Sequence, residues 1–178
     1  MNGTKCAMGF QNNKLRITTG NQWHAIWTVP FALIGLFLAI IWYDFNQYGI
    51  IAASVWGVAD AFPTLYLHWQ YYRQNKGEEY DIFTDRIVRS KGGEKQEFLV
   101  KNILLITVHL SPALYKGSQM HFLGIEAYYY ACIHLKGGEQ LLLTCLLDPK
   151  LDKTLKILEG VTIKRKKRVF NPLQWNYI

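Results

Sequence analysis

Three cysteines in 178 residues cannot supply a disulfide scaffold, and no two of them form a Cys-x-x-Cys pair. The chain has no His-Glu-x-x-His stretch, no glycine-rich phosphate loop and no Gly-x-Ser-x-Gly elbow. Zinc hydrolysis, nucleotide chemistry and serine-hydrolase chemistry therefore find no support. Nothing in the spacing of His109, His121 and His134 demands a metal site. No nucleophile–base pair is nominated, so the expectation is a non-enzymatic protein without metal or cofactor. Basic residues are missing from one long window: residues 23–72 hold no Lys or Arg, whereas three precede it and 17 follow.

What is present is apolar. Half the residues are hydrophobic and 15% aromatic, which excludes a disordered chain. The basic-free window contains two apolar runs, Trp23–Tyr43 and Ile50–Trp69, each near the ~20 residues a helix needs to cross ~30 Å of hydrocarbon. Trp and Tyr bracket both runs, as at membrane interfaces. The short link Asp44–Gly49 predicts an antiparallel transmembrane hairpin. Lys5, Lys14 and Arg16 on one flank, and Arg73 and Lys76 on the other, predict both termini in the cytoplasm by the positive-inside rule. Ala53, Gly57 and Ala61 recur every fourth residue and predict close helix packing, within the hairpin or with a partner. Asp60, inside the second run, is costly in lipid and marks an intramembrane or partner contact.

Beyond Gly77 the pattern shifts to period two. Strands are expected at Glu79–Thr84, Arg86–Lys91, Gln96–Lys101, Ile103–Leu110, Tyr128–Lys136 and Glu139–Leu147. Gly137-Gly138 reads as a two-residue hairpin turn, which places Cys132 opposite Leu143 and His134 opposite Leu141. Both faces of that hairpin are apolar, so both should be covered, by the C-terminal tail or by a partner that Tyr128 and Tyr130 would touch. Asp148-Pro149 opens a helix with Leu151, Leu155 and Leu158 along one side, and Gly160 ends it.

Two helices, then strands, then one amphipathic helix resemble the bacterial membrane-anchored proteins with a pleckstrin-homology-like domain of the YcxB-like type. The stretches that carry the likeness are EYDIFTDRIVRSK, EFLVKNILLITV and YYYACIHLKGGEQLLLTCLLDPKLDKTLKILEG. The resemblance implies an α+β fold: a bent antiparallel sheet closed at one end by the last helix, behind an N-terminal transmembrane hairpin. It also implies a binding or scaffolding role at the bacterial inner membrane. The expected division is an N-terminal segment 1–22, the hairpin 23–72, a PH-like domain 73–160 and a tail 161–178.

The tail carries Lys164, Arg165, Lys166, Lys167 and Arg168 without a break, followed by Val169, Phe170, Trp175 and Tyr177. Residues 73–178 hold 17 basic against 11 acidic side chains. Near an anionic leaflet each basic residue contributes about 1 kcal/mol, so the run is a candidate headgroup contact. No recognition helix accompanies it, which argues against nucleic acid. The remaining expected partners are a second copy of the chain or a larger membrane complex in which this protein is a small accessory subunit.

Overall fold

A computed structural model describes residues 13–41, 47–118 and 123–173. The first strand, β1 (Asn13–Arg16), precedes three helices, α1 (Thr19–Ile26), α2 (Thr28–Ile41) and α3 (Gln47–Asn75). Strands β2 (Glu78–Ile82), β3 (Arg86–Lys91), β4 (Glu94–Leu99) and β5 (Ile103–Leu110) follow. After a short helix α4 (Pro112–Tyr115) and a 3₁₀ turn (Gly124–Ala127) come β6 (Tyr130–Leu135) and β7 (Gln140–Thr144). Helix α5 (Leu151–Thr154) and β8 (Ile163–Lys167) complete the order. Two four-stranded sheets result, β1-β2-β3-β4 and β7-β6-β5-β8. The helices are thus inserted between two strands that pair with each other, Leu15 lying opposite Tyr80.

Alternation decides which side of each sheet is buried. In β2, Glu78, Tyr80 and Ile82 point inward, and Ile82 meets Ile87 across the hairpin. The facing sheet contributes Ile106, Val108, Ile133 and Leu143, all fully buried. Each such aliphatic side chain stabilises the fold by about 1.5–3 kcal/mol. Leu151, Leu155 and Leu158 close the core from one end, as their spacing predicts, although the helix is short and continues as a 3₁₀ turn. Asp148 holds its start by accepting from Lys150 N (2.8 Å) and from the Thr154 hydroxyl (2.6 Å).

The β6–β7 hairpin is one residue out of the expected register. Cys132 lies opposite Leu142 and His134 opposite Gln140. A type I′ turn needs positive φ at both central residues. Only Gly138 has it (84°), so Lys136–Glu139 form a longer loop, closed by the bond from Leu135 N to Glu139 O (2.9 Å). Both faces are nonetheless covered, and the chain itself supplies cover. Asn75 at the end of α3 donates to Leu142 O (3.0 Å) and accepts from Thr144 N (3.1 Å), so its amide caps the free edge of β7.

The expected transmembrane hairpin is not what the chain builds. Among the described residues, no helix is long and apolar enough to cross a membrane. The first run is broken at Trp27 into α1 and α2, and the 14 residues of α2 extend only about 21 Å. The second run belongs to α3, but the C-terminal half of that helix is domain core. Asp60, Thr64, Leu67 and Tyr71, spaced along one helical face, are all buried, and Asp60 is bonded to the 3₁₀ turn. An inner-membrane protein with both termini cytoplasmic is accordingly not supported. An apolar run looks the same in sequence whether it faces lipid or a β-sheet.

Candidate functional site

The basic run forms a strand rather than a free tail. β8 runs parallel to β5, with Lys164 beside Thr107, Arg165 beside Val108, Lys166 beside His109 and Lys167 beside Leu110. Arg168 extends the ladder through its N–H to Leu110 O (2.9 Å). Because β8 is the outermost strand, its charged side chains stay exposed on both faces, and only Ile163 reaches the core. Arg165 pairs with Asp152 (2.8 Å). Lys164, Lys166, Lys167 and Arg168 form no ion pair among the described residues. Val169, 70% exposed, and Phe170, 41% exposed, follow directly. The strand therefore presents four uncompensated cations and two apolar side chains along one edge.

This charge reaches inward to His109. The imidazole is buried and stacked on Tyr130, with ring centroids 4.6 Å apart and planes 17° off parallel. Burial, reinforced by Arg168, Lys166 and His134, pushes its pKa down to about 4, so it is neutral at pH 7. Its Nδ1 has no protein partner among the described residues.

A second constellation surrounds Asp60. The carboxylate is 2% exposed, and its Oδ1 accepts from Gly124 N at 2.8 Å. Burial raises the Asp60 pKa; the Gly124 N–H partly offsets this, and the charge of Glu126 adds to it. Thr28, at the start of α2, and Thr64, one turn beyond Asp60, bring their hydroxyls to the same place. A Cβ on Gly124 would lie 2.4 Å from Thr64 Oγ1 and 2.5 Å from Thr28 Oγ1. Only glycine allows the 3₁₀ turn to approach the helices this closely.

The residues singled out by sequence fall in different places. Gly57 and Ala61 are buried on α3, while the side chain of Ala53 lies outside the described residues. Tyr128 and Tyr130 are buried in this chain's own core, and the Tyr128 hydroxyl lies 3.0 Å from His68 Nδ1. His121 is likewise outside the described residues. Thr28, Thr64 and Gly124 escaped the sequence reading. Thr64, four residues after Asp60 and so on the same helical face, was the one available signal.

A family profile described as a PH domain matches residues 14–154. The chain belongs to the PH domain family. No curated protein matches it. Membership in the family points to a binding or scaffolding role, and PH domains commonly bind lipids or proteins. The match begins within β1 and ends within α5, so in this PH domain the helices α1–α3 lie inside the matched region.

Proposed function

We propose that this PH domain is a non-catalytic binding module whose edge strand β8 engages anionic headgroups. The observation that carries the reading is the row of exposed Lys164, Lys166 and Lys167 and half-buried Arg168, none paired with an acidic side chain among the described residues, beside exposed Val169 and Phe170. Each cation near an anionic surface contributes about 1 kcal/mol, and the neighbouring apolar side chains can enter the interface. The test is co-sedimentation of the full chain with vesicles of phosphatidylcholine containing phosphatidylserine. Binding should be strong at low salt and weak at high salt. The charge-reversed variant Lys164→Glu/Lys166→Glu/Lys167→Glu should lose it. Unchanged sedimentation of that variant would overturn the proposal, as would equal binding to vesicles without phosphatidylserine.

A second reading, docking onto a partner protein, is favoured by the helical pair. Phe31, Phe37, Val55 and Phe62 project from α2 and α3 and are each more than half exposed. Large exposed apolar side chains on adjacent helices are candidate partner contacts. Mass measurement after purification in mild detergent tests it: a defined complex supports the reading, and a lone monomer removes it.

A further inference from the structure

The buried constellation where α2, α3 and the 3₁₀ turn Gly124–Ala127 meet is not used by the basic edge strand, and its chemistry is specific. Among the described residues, three side-chain oxygens there have no protein partner: Asp60 Oδ2, Thr28 Oγ1 and Thr64 Oγ1. All three residues are more than nine-tenths buried. An orphaned carboxylate oxygen and two orphaned hydroxyls inside a domain cost free energy unless something supplies positive charge or hydrogen bonds. Among the described residues no cation pairs with Asp60, and the charged neighbour that acts on it is Glu126, which is itself an acid. A proton on Asp60 Oδ2 would need an acceptor, and that oxygen forms no bond with either hydroxyl.

We propose that Asp60, Thr28 and Thr64, roofed by Gly124, form a binding site for one alkali-metal cation. The donors are all oxygen, which suits a hard ion. A single carboxylate with two neutral hydroxyls carries one negative charge, which matches a monovalent ion. Calcium takes six to eight oxygens, usually from several acids, and magnesium demands near-ideal octahedral geometry. The ion would tie together the start of α2, the middle of α3 and the turn that leads into β6. It would thereby couple the helical pair to the sheet domain.

The test uses the full chain at constant ionic strength, with sodium chloride replacing choline chloride. Because the ion binds the folded state, Tm should rise with sodium by about 5 °C or more between well below and a hundredfold above the dissociation constant. Asp60→Asn should abolish the response. Thr64→Val, which keeps the side-chain shape, should shift the sodium midpoint upward by roughly tenfold or more. Sodium NMR relaxation reads binding directly on the unaltered protein, so the result stands even if Asp60→Asn fails to fold. Equal melting in sodium and choline with unperturbed sodium relaxation would overturn the site. A response to calcium or magnesium alone would overturn the monovalent assignment.

Discussion

Gln70 holds Leu173 as one strand holds another: its Nε2 donates to Leu173 O (2.9 Å), and its Oε1 accepts from Leu173 N (2.8 Å). One residue further along α3, the Tyr71 hydroxyl donates to Asn171 O (2.7 Å), and Asn171 in turn donates through Nδ2 to Tyr128 O (3.1 Å). The segment after β8 is thus fastened to the helix through backbone polar groups. Gln70→Ala leaves a buried N–H and a buried carbonyl of Leu173 without partners. It should destabilise the fold by about 2 kcal/mol, visible as a Tm lowered by roughly 5 °C.

Glu78 is a buried carboxylate whose charge is answered on all sides. Arg89 and Lys91 pair with Oε1, while Tyr80 OH (2.7 Å) and Asn75 Nδ2 (3.2 Å) donate to Oε2. Burial alone would raise its pKa, but these bonds together hold it below the ordinary 4.5. Arg89→Met removes one of the two cations on the carboxylate, leaving Lys91, Tyr80 and Asn75, and should cost about 1.5–3 kcal/mol, whereas Glu78→Gln/Arg89→Met should cost clearly less. Urea midpoints of the two variants decide this, and equal losses would contradict it.

Acid should destabilise the protein in two separable windows. His109 has a folded-state pKa of about 4 against an ordinary 6.5, so the unfolded chain binds more protons between those values. Stability from this residue therefore falls as pH drops from 6.5 toward 4, by about 2 kcal/mol once solvent screening of the charges of Lys166 and Arg168 is allowed for. Glu78 acts lower: its contribution is present above 4.5 and is lost as pH falls through its depressed pKa. Stability measured against pH should lose its slope between 6.5 and 4 in His109→Phe and keep its slope below 4.5.

Gly124→Ala should separate the 3₁₀ turn from the helices. The new methyl would press on the hydroxyls of Thr64 and Thr28 at 2.4 and 2.5 Å, which the fold must relieve by moving backbone. The expected cost is about 1–3 kcal/mol. Hydrogen exchange at residues 124–127 should accelerate more than at β3, which lies in the other sheet.

Much of the sheet was legible. β3 and β5 fall on Arg86–Lys91 and Ile103–Leu110 as their alternation predicts, and Leu151, Leu155 and Leu158 are core. β8 was not legible, because Ile-Lys-Arg-Lys-Lys has no apolar alternation. An edge strand exposed on both faces pairs through backbone alone, and composition records nothing of that. The hairpin register was missed because two adjacent glycines do not reveal which of them takes positive φ. The helical region misled for a different reason. Both apolar runs are real, but whether Ala61 and Leu67 meet lipid or the rest of the domain depends on partners distant in sequence. Of the Asp60 constellation, the carboxylate was conspicuous, while Thr28 and Gly124 arrive from segments that nothing local connects to it.

Placing three helices between β1 and β2 has a kinetic consequence. Arg16 finds Glu79 only after roughly sixty intervening residues are spanned, a closure whose entropy must be lost before the first ladder bond rewards it. β2, β3 and β4, joined by tight turns, face no such delay. The strand made first is therefore the one to dock late. A chain lacking residues 13–16 should still assemble its remaining strands, with the β2 edge left bare and prone to recruit a neighbour.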